Sequence, residues 1–106
     1  MHSTEPTVKI PMSLVTDPKY AGLKSESIIA FALFNLRIYD AIERDWIDEN
    51  GFIYFYYNIE EQKEILNVSG QKLQKIKKNL MEHDLLIQVS MGFGKSKRMY
   101  FNKFIL

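Results

Sequence analysis

The sequence predicts an α+β fold, a winged helix-turn-helix with a small antiparallel sheet formed by the wing hairpin. Two short amphipathic segments separated by a tight turn predict the helix-turn-helix, and the second segment is rich in lysine. Two segments typical of strands follow and enclose a loop of glycine and lysine, residues 91–97. Since 106 residues with 46% hydrophobic content bury one compact core and not two, residues 1–106 are expected to form a single domain.

Composition excludes several classes of protein and of site. The chain has no cysteine, which excludes disulfides and thiolate metal sites. It has no recognisable signal peptide and no apolar run long enough to cross a bilayer, so we expect a cytoplasmic protein without membrane contact. His2 and His83 lack partners at metal-ligand spacing, and no Ser/His/Asp motif is recognisable. The sequence predicts no catalytic residue, no metal, no cofactor and no enzymatic activity.

The N-terminal part is predicted to be loosely attached. Residues 1–7 are polar and are expected to be disordered. Residues 8–20 are expected to form an N-terminal arm, in which residues 8–14 are a short extended piece that Pro11 confines to an edge. A turn is predicted at Pro18, because the residue before a proline leaves the helical region.

The first long helix is predicted from Ser25 to about Arg44, and it carries two apolar stripes. A helix that is apolar on two sides must bury both, and a small domain usually has a core for only one. We therefore expect a homodimer that uses the second stripe. The alternative is that the arm of residues 8–14 folds over this stripe. The stripe with core-facing spacing is Ile29, Ala32, Leu33 and Leu36, and the predicted dimer interface is Phe31, Phe34 and Ile38.

A turn, a strand and the first helix of the helix-turn-helix follow. Residues 48–51 have the composition of a turn, and residues 52–57 are aromatic and β-branched, which predicts a strand. Asn58 is expected to cap the next helix, with Glu61 at the spacing of a capping box. This helix is expected to end at Asn67.

The recognition helix and the wing complete the predicted fold. Ser69 is expected to cap a helix that ends at His83, and residues 85–90 and 98–101 are expected to pair as a hairpin. The inward positions of this helix are Leu73, Ile76, Leu80 and Met81.

Positive charge is concentrated in this last part of the chain. Eight of the fourteen Lys and Arg residues follow Val68, against two of the thirteen acidic residues, so the net charge of +1 hides a basic second half. Glutamine and asparagine on a recognition helix pair with adenine in the major groove, and lysine contacts guanine or phosphate. A basic helix face is also often only a solvated face. The outward positions, predicted to contact DNA, are Gln71, Lys72, Gln74, Lys75, Lys78 and Asn79.

The composition of the loop between the last two strands favours DNA contact over the alternative that the basic helix face is only solvated. The glycines of the loop make a flexible tip, and the three cations Lys95, Lys97 and Arg98 are predicted to contact the sugar-phosphate backbone or the minor groove. The loop is similar to the end of a nucleotide-binding loop. Its first glycine is replaced by Val89, however, and the loop precedes a strand, so nucleotide binding is excluded.

Several motifs together resemble the N-terminal domain of RepA-type plasmid replication initiators over residues 8–101. The specific parts are the turn Trp46-Ile47-Asp48-Glu49-Asn50-Gly51 and the wing pattern Gly92-x-Gly94-Lys95-x-x-Arg98-x-Tyr100. Further matches are Ile10-Pro11, Ile59-Glu60-Glu61, Glu64-Ile65-Leu66, and Ser69 with Gln71-Lys72.

The resemblance implies a dimeric winged-helix domain that binds double-stranded DNA at repeated sites of a plasmid origin. The family's initiators are longer, and the resemblance implies that a further C-terminal domain helps to load host replication proteins. By position, the matching binding residues are Gln71, Lys72, Lys95 and Arg98. Two alternatives use the same fold: a transcriptional repressor that binds a promoter, and a protein-interaction winged helix without a DNA role.

Overall fold

A computed structural model describes residues 5–103 and shows the predicted α+β winged helix. The expected disorder of residues 1–4 falls outside the described residues, and residues 5–7 carry no helix or strand. The elements in chain order are α1 (Met12–Thr16), a 3-10 helix (Pro18–Tyr20), α2 (Ser25–Phe34), α3 (Arg37–Glu43), α4 (Ile59–Leu66), α5 (Gly70–Glu82), β1 (Leu86–Val89) and β2 (Arg98–Phe101).

The N-terminal arm is helical from Met12 to Thr16, so the prediction of an extended piece is wrong for residues 12–14, whereas residues 8–11 form no helix. Pro11 precedes the first turn of α1 with φ −60°, a value that proline favours, so it starts a helix instead of lying at a sheet edge. Leu14 of α1 and Tyr20 of the 3-10 helix are buried in the main core. These two side chains attach the arm to the domain.

The long first helix is divided into α2 and α3 at Asn35 and Leu36. Leu36 N donates to Leu33 O at 3.2 Å, and Ile38 N donates to Asn35 O at 3.0 Å. These are bonds to the third preceding residue, which tighten the chain into a 3-10 turn and interrupt the regular helix.

The stripe predicted as a dimer interface is buried, whereas the stripe predicted to face the core is buried only in part, at Ala32. Phe31, Phe34 and Ile38 are completely buried, whereas Ile29 and Leu36 are 50% and 46% exposed. The prediction that Phe31, Phe34 and Ile38 form a dimer interface is therefore wrong: they fill the centre of this chain's own core. Aromatic neighbours from the second half hold them there, with ring centroids 4.6 Å apart for Phe31–Phe101 and 5.1 Å apart for Phe34–Tyr57.

Local capping sets the limits of the helix-turn-helix. The Asn58 side chain accepts hydrogen bonds from Glu60 N and Glu61 N, and the Ser69 hydroxyl accepts one from Lys72 N, so both predicted caps are confirmed. Asn67 ends α4 with φ 54°, a left-handed conformation that asparagine tolerates.

The sheet is smaller than predicted. Strands β1 and β2 pair antiparallel, with Leu86 opposite Phe101 and Val89 opposite Arg98. The predicted strand at residues 52–57 is reduced to two single bridges, Ile53 to Ile47 and Phe55 to Met99, and the second is made by two 2.9 Å backbone hydrogen bonds. Because β1 pairs with one edge of β2, the bridge from Phe55 places this segment beside the other edge. Phe55 is buried there.

Candidate nucleic-acid interface

Helix α5 has one buried and one polar face. Leu73, Ile76 and Leu80 are buried, as predicted. Five of the six positions that the sequence analysis placed on the outer face are exposed along the described helix: Gln71, Lys72, Gln74, Lys75 and Lys78. This face presents amide and ammonium donors to solvent. A recognition helix uses donors of this kind to contact base edges in the major groove.

Asn79, the sixth position, has a different role from the predicted one. Its Oδ1 accepts a hydrogen bond from Lys24 N at 2.9 Å, and its Nδ2 donates to Gly22 O at 3.2 Å. Both polar atoms of the amide are occupied by the backbone that leads into α2. The structure thus contradicts the prediction that Asn79 reads bases, because its amide is used to join α5 to α2.

Lys72 forms an ion pair that the sequence did not reveal. Its Nζ lies 2.7 Å from Oε2 of Glu26, in the first turn of α2. Both side chains are partly exposed, and a pair of this kind contributes only about 0–1 kcal/mol. This ion pair therefore holds the side chain of Lys72 only weakly.

The wing is shaped by two glycines with positive φ. Gly92 has φ 115° and Gly94 has φ 76°, conformations that side-chain-bearing residues rarely adopt. Lys95 N donates to Gly92 O at 3.2 Å and closes the turn. Phe93 at the tip is fully exposed, and Lys95 and Lys97 are exposed beside it. The wing thus carries two cations on a preformed turn.

Arg98 lies at the base of the wing and not at its tip. Its guanidinium carbon is 4.1 Å from the ring centroid of Tyr54. Hydrogen bonding to the hydroxyl of Tyr56, and then to that of Tyr100, raises the pKa of Arg98 above its ordinary value. Arg98 is half-buried, yet it lines a shallow groove together with Lys95. It therefore anchors the wing on aromatic side chains while one side stays accessible.

The sequence analysis missed Lys77. This lysine is only 3% exposed and lies on the buried side of α5. It lines a cleft of about 410 Å³ between α4, α5 and the wing, together with Gln74, Lys95 and Lys97. Burial, and then the charge of Lys97, lower the pKa of Lys77. The helical period could have placed Lys77 on the inward face of α5, because Lys77 is four residues after the inward Leu73.

Neither a metal-binding cluster nor a membrane-spanning helix occurs among the described residues. Residues 5–103 contain no group of three or more His, Asp or Glu side chains that could hold a metal ion. In the same part of the chain, every helix is too short or too polar to cross a membrane.

Known proteins resemble this chain over almost its whole length. The family described as "Replication initiator protein A (RepA) N-terminus" matches residues 7–106. A curated relative, "41 kDa protein" of Lactobacillus helveticus, is 33% identical over 93 residues, which cover 87% of this chain and 26% of the relative. The chain thus spans about a quarter of the length of that relative.

Three solved structures share the fold. One titled "N-Terminal domain of DNA binding protein" is 39% identical with a TM-score of 0.84, over 96% of this chain and 78% of the other. One titled "Structure of Rep-DNA complex" is 39% identical with a TM-score of 0.83, over the same shares. One titled "Structure of MDR initiator" is 34% identical with a TM-score of 0.80, over 96% of this chain and 80% of the other.

Proposed function

The chain belongs to the family of replication initiator protein A N-terminal domains, and from that membership we propose that it binds double-stranded DNA through α5 and the wing. One observation carries the proposal: Gln74 and Lys77 of α5 line the same cleft as Lys95 and Lys97 of the wing. Gln74, on the polar face of the helix, and the cations of the wing therefore lie on the same side of the domain. A solved relative with 39% identity, titled as a Rep–DNA complex, supports the same partner.

Each exposed residue has a role that follows from its chemistry. The amides of Gln71 and Gln74 are suited to bidentate pairing with adenine in the major groove. The ammonium groups of α5 and the wing are suited to phosphate, which positions the protein without reading sequence. The proposed phosphate contacts are Lys72, Lys75, Lys78, Lys95, Lys97 and Arg98.

The proposed setting is the start of plasmid replication in the cytoplasm. Family membership supports initiation, and the proposed target is a set of repeated sites in a plasmid origin. This chain matches only 26% of the curated relative's length. Contact with host replication proteins is therefore proposed for the remainder of such a longer protein.

A homodimer is also proposed, through a different surface from the one predicted. Ile29, Leu36 and Ile42 are each between 44% and 50% exposed on α2, α3 and the turn between them. Two of these three exposed side chains, Ile29 and Leu36, belong to the stripe that was expected to face the core. Pairing through this surface would let two domains bind two neighbouring DNA sites.

Selection of bound sequences from random duplex DNA tests the proposed function. We expect a common site, recovered as tandem direct repeats when origin DNA is footprinted. A palindrome over a promoter would favour a repressor instead. If about five cations neutralise phosphates, the logarithm of the affinity should fall with a slope of about −4 to −5 against the logarithm of salt concentration. A flat salt response, or no bound sequence, would contradict DNA binding.

A further inference from the structure

The side chain of Lys77 is almost wholly buried. Only 3% of its surface is exposed, and among residues 5–103 its ammonium group forms no ion pair with a carboxylate. Its position on α5, one residue after the buried Ile76 and three before the buried Leu80, places its stem against the core. A lysine usually keeps its charged end in water or gives it a partner, because removing a charge from water is costly.

Lys77 lines the cleft between α4, α5 and the wing. The cleft has a volume of about 410 Å³ and is lined by three lysines, Lys77, Lys95 and Lys97. Glu60 is the acidic residue on its wall, and its carboxylate is already paired with Lys63 at 3.2 Å. The cleft thus gathers positive charge that its walls do not neutralise.

A purely structural role explains only part of this arrangement. Lysine often packs its aliphatic stem on apolar side chains and extends its charged end to the surface. That accounts for the buried stem of Lys77, but not for an ammonium group that faces a second lysine, Lys97, which disfavours its charge. A neutral side chain of the same length would avoid both the desolvation and the repulsion.

We propose that Lys77 and Lys97 together bind one backbone phosphate of DNA in this cleft. This inference rests on the proposed function and deepens it. A phosphodiester has two non-bridging oxygens, so each ammonium group can donate to one of them, and the negative charge replaces repulsion between the lysines by attraction. The cleft lies between the helix that would enter the major groove and the wing that would follow the adjacent groove. A phosphate held there would set the depth and register of both elements.

Neutral phosphates in the DNA test the contact directly. Methylphosphonate is introduced at one position at a time in a duplex recovered by selection, and the affinity is measured for the wild type and for Lys77→Met. At one position in each site, the wild type should lose affinity by about eightfold in 0.1 M salt, the counterion-release contribution of one phosphate. Lys77→Met should bind unmodified DNA more weakly than the wild type, and it should lose less affinity than the wild type at that position, because only Lys97 remains to contact the phosphate.

The control variant is Lys9→Met, which removes the same charge from an exposed lysine elsewhere. It should show the same methylphosphonate profile as the wild type. Methionine is as long as the aliphatic stem of lysine and carries no charge, so Lys77→Met is expected to fold at least as stably as the wild type by thermal denaturation. Should it fail to fold, the exposed Lys97→Met provides the same comparison at the same phosphate.

Isotope-labelled lysine side chains distinguish DNA from a free anion. The NMR signals of Lys77 should shift when duplex DNA is added, and should stay in place in millimolar inorganic phosphate at constant ionic strength. Equal sensitivity of both proteins at every methylphosphonate position would overturn the inference while leaving DNA binding intact. A shift with inorganic phosphate alone would reassign the cleft as a free-anion site. A wild type that binds no duplex at low salt would overturn the proposed function and this inference with it.

Discussion

The hydroxyl of Tyr100 donates a hydrogen bond of 2.9 Å to Oδ2 of Asp48, and so joins the last strand to a turn 52 residues earlier. The other oxygen of Asp48 accepts from Asn50 N and Phe52 N, at 2.9 Å each, and closes that turn. Asp48 belongs to the turn motif and Tyr100 to the wing motif on which the family resemblance rests. The two most specific segments of the sequence therefore contact each other in the structure.

The Asp48 contact predicts a pH dependence of stability. The backbone hydrogen bond from Phe52 is the main reason why the pKa of Asp48 is lowered, and the hydrogen bond from Tyr100 acts in the same direction. A lowered carboxyl pKa adds stability above the ordinary value of about 3.9, and this stability is lost as the pH falls through the folded-state pKa. Asp48→Asn should therefore lower the Tm at pH 7 and flatten its fall below about pH 4. Parallel Tm curves for both proteins between pH 6 and pH 2 would contradict this.

The lysines of α5 predict the salt dependence of DNA binding. Changing Lys72, Lys75 and Lys78 together to Ala should reduce the salt slope by about 2.7, since each phosphate contact contributes about 0.9. A matched control changes three other lysines, Lys9, Lys19 and Lys103, two of which lie over the ring of Tyr20. The control should leave the slope much closer to that of the wild type. Equal reductions in both triple variants would mean that only overall charge matters.

Asn79 is predicted to matter for stability and not for the choice of bases. Asn79→Ala removes the hydrogen bonds to Lys24 N and Gly22 O, which should cost about 1–3 kcal/mol of unfolding free energy. Chemical denaturation measures this cost. Selection from random DNA should recover the same site for the variant as for the wild type. A changed site with unchanged stability would restore Asn79 as a base reader.

The proposed dimer predicts which variant becomes monomeric. Leu36→Glu places a charge on the exposed apolar surface of the α2–α3 region and should shift sedimentation at micromolar concentration from dimer to monomer without unfolding the domain. Phe52→Glu is the control, because Phe52 is 63% exposed at a separate site near the sheet. Dissociation by Phe52→Glu and not by Leu36→Glu would move the interface to the sheet, and a monomeric wild type would remove the dimer altogether.

Features that depend on neighbouring residues were predictable from the sequence. Asn58 and Ser69 cap their helices as expected. Each side chain accepts a hydrogen bond from a backbone N–H two or three residues later, so no distant part of the chain is needed. The hairpin from Leu86 to Phe101 was predictable for a similar reason, since alternating apolar residues and glycines with positive φ specify two strands and a turn. The family resemblance added the likeness to replication initiators, which the family match confirms.

Features that depend on distant residues were decided only by the tertiary structure. Helical spacing shows which side chains share a face, but either face of α2 could meet the core. The rings of Phe101 and Tyr57 select Phe31 and Phe34, and leave Ile29 exposed.

The roles of the polar residues of α5 also depend on distant residues. The sequence by itself determined the helix and its basic character, because both depend on residues within a few positions along the chain. Only the tertiary structure decided that Asn79 is occupied by the backbone before α2 and that Lys77 lies buried beneath the wing. The physical reason is that hydrogen-bond partners and burial are set by segments that meet only after folding.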